Sequence, residues 1–199
     1  AYLLSQVSGR PVKVVMSYSE ELMAGTTRHS SSITLRSGVT KDGTLTGMQV
    51  EAYFNGGAYG GSKAVPNNNV HGIEQSGSCY RIPALDIQSF VAYTNNIPAG
   101  HMRAPGGPQT TFAVESHLNM IAEEIGMDAA EFRMRNLLQE GDTAPTGDRW
   151  GVIRAKETLK AALDKIGWDA PKPANVGRGV AMYERAPIGG DSSCNLIVH

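Results

Sequence analysis

The spacing of apolar and polar residues changes period along this chain, and each change predicts a different element. Ala1 to Gly9 reads as the second half of an amphipathic helix that a glycine terminates. Pro11 to Ser17 is rich in valine and predicts a short buried strand. Ser17 and Glu20, three apart, form a capping-box pattern ahead of a short helix over Glu20 to Ala24, which should stop at Gly25. His29 to Thr40 alternates through Ile33, Leu35 and Val39. Lys41-Asp42-Gly43 then predicts a hairpin turn, with Gly43 supplying the positive φ. The return strand spans Thr44 to Phe54, with Leu45, Met48, Val50 and Ala52 on one face. Its phase slips at Gly47, which suggests a bulge.

Asn55 to Ser78 is a polar, Gly- and Asn-rich loop, long enough to be functional or covered by a partner. Leu85 to Tyr93 alternates as a strand, and a second Gly/Pro-rich loop follows over Asn95 to Gln109. Three helices are predicted next. Thr110 to Ile125 places Phe112, Leu118, Ile121, Ala122 and Ile125 on one stripe. Asp128 to Glu131 is a second capping box, with Phe132, Leu137 and Leu138 facing inward. Arg154 to Ile166 is amphipathic through Leu159, Ala162, Leu163 and Ile166 and ends at Gly167. Pro171-Lys172-Pro173 is a stiff linker. Gly179 to Glu184 and Asn195 to His199 read as paired strands around a Gly-rich loop. The order of strands, helices and strands predicts an α+β fold, a mixed β-sheet packed on helices. Regular β-α alternation, G-x-G-x-x-G and a Walker A sequence are all missing, so the Rossmann and P-loop readings fall away.

Composition narrows the function classes. The 199 residues are 41% hydrophobic, enough for one core or two small lobes, and the net charge is −1. No bulk field therefore draws the chain to nucleic acid or an anionic membrane. No apolar run approaches the roughly 18 residues of a membrane span. The two cysteines, Cys79 and Cys194, form no C-x-x-C and read as reduced thiols of a cytoplasmic protein. The chain opens without an initiator methionine and closes on a strand pattern, which points to a piece of a longer polypeptide.

The most unusual segment is Pro98 to Gln109. Gly106 and Gly107 permit close backbone approach, and Pro108 suits the first turn of a helix. The amides of that turn favour an anion, and Arg103 can add a bidentate contact to phosphate or another oxyanion. An ordinary strand-to-helix connection with a surface arginine fits the same residues. The histidines show no metal-ligand spacing, and no H-E-x-x-H or G-x-S-x-G occurs. On these residues alone, an anion- or phosphate-binding or partner-interaction module without catalysis stays open.

Gly100-His101-Met102-Arg103-Ala104-Pro105-Gly106-Gly107-Pro108-Gln109, followed by Phe112 to Ser116, resembles a signature of the xanthine dehydrogenase, aldehyde oxidase and carbon monoxide dehydrogenase large-chain family. It is similar to that family's G-x-F-R-G-F-G-x-P-Q loop and the helix after it. Gly9 to Val12, Glu20-Glu21, Arg28-His29, the Asp42-Gly43 hairpin, Asn55 to Tyr59, Cys79 to Pro83, Asp128 to Leu138 and Gly177 to Ala181 match in order. The resemblance implies part of the molybdenum-cofactor-binding domain of a molybdenum hydroxylase. Such enzymes add a water-derived oxygen to a heteroaromatic, an aldehyde or a related small-molecule substrate. Residues 1–170 would be the first lobe of that domain, and 171–199 the linker and the start of the next.

The implied cofactor is molybdopterin, in bacteria usually molybdopterin cytosine dinucleotide, carrying molybdenum. The implied partners are the rest of the molybdenum-binding subunit and [2Fe–2S] and FAD subunits or domains. By motif match, Arg103, Gly106, Gly107 and Gln109 would contact the cofactor, and more loosely so would Ser192, Ser193 and Cys194. No residue here would bind the metal directly or act as a catalytic group. The family's G-G-G-F-G-G loop would lie upstream of Ala1 and its catalytic Glu downstream of His199, so the fragment alone should be inactive. Two departures touch the substrate pocket. Pro105 stands where xanthine-type enzymes carry a stacking Phe, and His71 lies near the place of their purine-clamping Arg. Both argue against xanthine itself. The Cys-Ser-Phe-Arg loop of carbon monoxide dehydrogenases is also missing.

Overall fold

The computed structural model describes residues 1–60, 70, 72–77, 79–145, 147 and 149–184. Helices α1 (Tyr2–Ser8) and α2 (Tyr18–Ala24) come first, then strands β1 (Ser31–Val39) and β2 (Leu45–Gly57). A short 3-10 helix (Ile73–Gly77) precedes β3 (Leu85–Tyr93), and α3 (Gly107–Glu124), α4 (Ala129–Asn136) and α5 (Ala155–Ile166) follow. The sheet order is β1-β2-β3. Thr40 N donates to Thr44 O and Asn55 N to Ser30 O, so β1 and β2 run antiparallel. Met48 N donates to Ala84 O and Thr94 N to Gly57 O, so β2 and β3 run parallel. The sheet is mixed, as the α+β reading expected.

Local chemistry sets the boundaries. Gly9 closes α1 in the left-handed conformation at φ 64°. Ser17 and Glu20 form the reciprocal capping box at α2. Gly43 turns the hairpin at φ 84°, and Asp128 caps α4 by accepting from the amides of Ala130 and Glu131.

Four expectations are corrected. Pro11 to Ser17 forms no strand: Val14 and Val15 are exposed, and a β-prone run with no ladder partner among the described residues stays irregular. Phe112 is 77% exposed, because α3 begins at Gly107 and buries Val114, Leu118 and Ala122, a line with a period of four that Phe112 misses. On α5, Ala155 and Leu159 are buried while Ala162 and Ile166 are exposed, so the stripe is one line wide. Gly179 to Glu184 is not a strand; the Met182 amide is spent on the Glu115 carboxylate instead of a ladder. Its expected partner, residues 195–199, lies outside the described residues.

The chain divides into two compact units, Ala1–Arg36, Gln49–Glu74 and Asp86–Ala113 in one, and Ser37–Met48, Gln75–Leu85 and Val114–His199 in the other. Buried apolar residues of the first include Val50, Ala52, Phe54, Ile73 and Ala99, with His29 edge-on to Phe54 at 6.4 Å between ring centres. Those of the second include Leu45, Met48, Tyr80, Leu118, Phe132, Leu137 and Leu159.

Two polar groups organise the second unit. Asn136 accepts from Leu45 N at 2.9 Å through Oδ1, and its Nδ2 donates to Gly43 O and Phe132 O, both at 2.8 Å. The end of α4 is thereby stitched to the hairpin. Glu115 is 5% exposed and carries the larger load. Its Oε1 accepts from Tyr80 OH at 2.8 Å, and its Oε2 from Arg133 Nε at 2.8 Å and Met182 N at 3.0 Å. Arg133, fully buried, also donates to Glu115 O and Ala129 O. Burial and the Glu115 carboxylate push the Tyr80 phenol far above its ordinary value, so it stays a donor.

Glu115→Ala leaves the Arg133 charge buried without its partner, and about 3–5 kcal/mol of stability should be lost in chemical denaturation. A cost of a few tenths would contradict the network. His117 lies half-buried with Nε2 3.0 Å from Ser37 Oγ, and burial holds its pKa below the ordinary 6.5. The unfolded chain then binds a proton more readily than the folded one, so this contribution is present above about pH 6.5 and is lost as pH falls. Stability should drop as pH falls below about 6.5, and the drop should shrink in His117→Gln.

Candidate functional site

The segment after β3 is laid against the end of β2. Thr94 N donates to Gly57 O, Ala58 N to Asn96 O and Ala99 N to Gly56 O. Ala99 also forms a parallel bridge with Thr27, and Gly100 N donates to Thr27 O. Past this anchor the chain makes a tight turn. Arg103 and Ala104 have φ of 20° and 54°, values that L-residues avoid, and Gly106 follows at 74°. Left-handed backbone costs a non-glycine residue roughly 1–2 kcal/mol, so the turn must be held by its surroundings. Gly107 N donates to Ala104 O at 3.2 Å and Thr110 N to Gly106 O at 2.9 Å. Helix α3 therefore begins three residues before the predicted Thr110, with Pro108 in its first turn.

The structure brings Arg103, Pro105, Gly106, Gly107 and Gln109 together in this turn, within the first unit. Arg103 is exposed, and its guanidinium makes no hydrogen bond or ion pair among the described residues. Gly106 and Gly107 are buried, and Pro105 is half-buried. Gln109 Nε2 donates to His29 O at 2.9 Å. Its Oε1 and the Thr110 hydroxyl are buried with no hydrogen-bond partner among the described residues. An exposed cation, a helix start and unspent buried polar atoms can receive an anionic group that also carries hydrogen-bonding functions. Among the described residues, no three His, Cys, Asp or Glu side chains are grouped to hold a metal ion, and no helix is long and apolar enough to cross a membrane.

Two supports of the turn were not found from the sequence. Arg28 donates to Ala104 O at 3.1 Å, Arg103 O at 2.8 Å and Met102 Sδ at 3.1 Å. Seventy-odd residues separate these partners in the chain, and no local pattern signals the contact. The backbone of Gly72, at φ 99°, packs so closely that a Cβ there would lie 2.7 Å from Gly107 N and 2.8 Å from Pro105 O. Its neighbour His71 and the other expected site residues, Ser192, Ser193 and Cys194, lie outside the described residues. Glu115 was also missed, although a carboxylate set beside Val114 on a buried line of α3 is a legible signal of a paired charge.

Residues 1–137 match the model of the molybdopterin cofactor-binding domain family. The chain is 36% identical over 194 residues to the putative xanthine dehydrogenase molybdenum-binding subunit of Escherichia coli K12, covering 92% of this chain and 25% of that protein. It is 32% identical to the nicotinate dehydrogenase large molybdopterin subunit of Eubacterium barkeri, covering 82% of this chain and 38% of that protein. The structure superposes on aldehyde oxidoreductase from Desulfovibrio gigas with a TM-score of 0.70 and 27% identity, covering 85% of this chain and 19% of that one. The chain thus spans about a quarter of the length of the curated xanthine dehydrogenase relatives it matches.

Gly72→Ala tests the close packing. The new methyl group meets backbone on the turn and suits φ 99° poorly. A loss of about 1–3 kcal/mol is expected in denaturation, with faster exchange of the Gly107 amide, which donates to Ala104 O. Unchanged stability and exchange would show that the turn does not lean on Gly72.

Proposed function

The chain belongs to the molybdopterin cofactor-binding domain family, and from that premise we propose that the turn at residues 102–109 is a wall of its cofactor site. The observation that carries the reading is the placement of Arg103: exposed, unpaired among the described residues and at the apex of a turn that runs directly into α3. The residues present fit the group. The unspent Gln109 Oε1 and Thr110 Oγ1 supply hydrogen-bonding capacity at the start of α3, and the Arg103 guanidinium supplies a cation for an anionic moiety. Gly106 and Gly107 allow backbone to approach a ligand without side chains intervening. Ser192, Ser193 and Cys194 form a second contact segment on sequence resemblance alone.

When bound, the cofactor supplies the redox-active metal and the oxygen-transfer chemistry. These residues hold and orient it; they carry no group placed for proton transfer. In this proposal the cofactor is molybdopterin cytosine dinucleotide. The whole protein hydroxylates an electron-poor heteroaromatic or an aldehyde with water-derived oxygen and passes electrons to [2Fe–2S] and FAD partners. The relatives named for xanthine, nicotinate and aldehydes span that substrate range. Pro105 removes a stacking surface that xanthine-type enzymes use, and with His71 it tunes the pocket toward another substrate of this class. The 199 residues alone are not expected to turn over.

Molybdenum analysis tests the reading on the full-length protein with its partner subunits, made in a host that synthesises the cofactor. Wild type should hold molybdenum in near one-to-one ratio. Arg103→Ala should weaken retention about 10- to 100-fold, the equivalent of a charge-assisted hydrogen bond worth roughly 1.5–3 kcal/mol. A well-folded wild type without molybdenum would overturn the proposal and leave the anion-binding module as the better account.

A further inference from the structure

We infer that Arg28 is a positioning residue for the cofactor turn: its guanidinium clamps the backbone carbonyls of Arg103 and Ala104, and so sets where the Arg103 side chain stands. This rests on the reading of that turn as a wall of the cofactor site.

The clamp is built from a match of shapes. Arg103 and Ala104 both sit at positive φ, and both of their carbonyls accept from the same side chain, at 2.8 and 3.1 Å. A guanidinium presents parallel N–H donors in a rigid plane, whereas an ammonium is a point charge with rotating donors. Lysine could therefore hold one carbonyl but not fix two in register. The clamp is also rooted. Thr27, just before Arg28, forms the parallel bridge with Ala99 and accepts from Gly100 N. His29, just after it, is 6% exposed, lies edge-on to Phe54 and accepts from Gln109 Nε2. Residues 27–29 therefore act as a splint, gripping the turn on its approach, at its apex and at the start of α3. The side chain of Arg28 is half-buried, and both of its terminal nitrogens donate to the turn, which suits it to holding the Arg103 loop.

The experiment uses the full-length protein with its partner subunits and compares wild type, Arg28→Lys and Arg28→Ala. The measurements are molybdenum content, the Mo(V) electron paramagnetic resonance spectrum, thermal unfolding and exchange of the turn's hydrogen-bonded amides, Gly107 and Thr110. Arg28→Lys should unfold at the wild-type temperature and keep most of its molybdenum. Its Mo(V) spectrum should broaden into more than one species, and exchange over the turn should quicken while exchange over β2 stays unchanged. Arg28→Ala should retain molybdenum about 10- to 100-fold more weakly. If Arg28→Ala does not fold, the spectrum and exchange of Arg28→Lys decide the matter. Wild-type molybdenum with an unaltered spectrum and unaltered exchange in Arg28→Lys would overturn the positioning role alone. A folded wild type without molybdenum would overturn the cofactor reading, and this role with it.

Discussion

Two consecutive non-glycine residues at positive φ form a turn that the chain would not adopt by itself, and the candidate site is arranged around what holds it. One side chain takes both carbonyls, a buried glycine follows, and a second glycine presses its bare backbone against the turn. The conformation lifts Arg103 into solvent just before the first turn of α3. A looser connection could carry the same arginine, but its position would wander, and a cofactor contact must be held to fractions of an ångström to be useful. Local strain here is the means by which a surface loop is given a defined conformation.

The second unit spends its polar groups differently. A buried carboxylate costs several kcal/mol unless its lone pairs are filled, and Glu115 fills them from a tyrosine, an arginine and a backbone amide. Three stretches separated in the chain, around Tyr80, Arg133 and Met182, are fixed to one helix position.

Much of the fold was legible because it follows from short-range chemistry. The Ser17 and Glu20 capping box, the Gly43 hairpin and the Leu85 to Tyr93 alternation each need only a few neighbouring residues, and each stands as expected. The failures share one cause. Pro11 to Ser17 has the composition of a strand but pairs with no other segment among the described residues, and burial on α3 and α5 depends on which line of each helix meets a neighbour. The candidate site divides the same way. The Arg103 loop is a contiguous motif and can be read directly, whereas the Arg28 clamp and the Gly72 contact join residues far apart in the chain. His71, Ser192, Ser193 and Cys194 rest on the sequence alone.

Anomalous diffraction at the molybdenum absorption edge, from crystals of the full-length protein with its partners, would locate the metal relative to this turn. One molybdenum peak per protomer is expected on the Arg103 side of the turn formed by residues 102–109, close enough for the intervening cofactor to touch that guanidinium. A molybdenum peak remote from this turn, with Arg103 facing solvent, would contradict the cofactor reading.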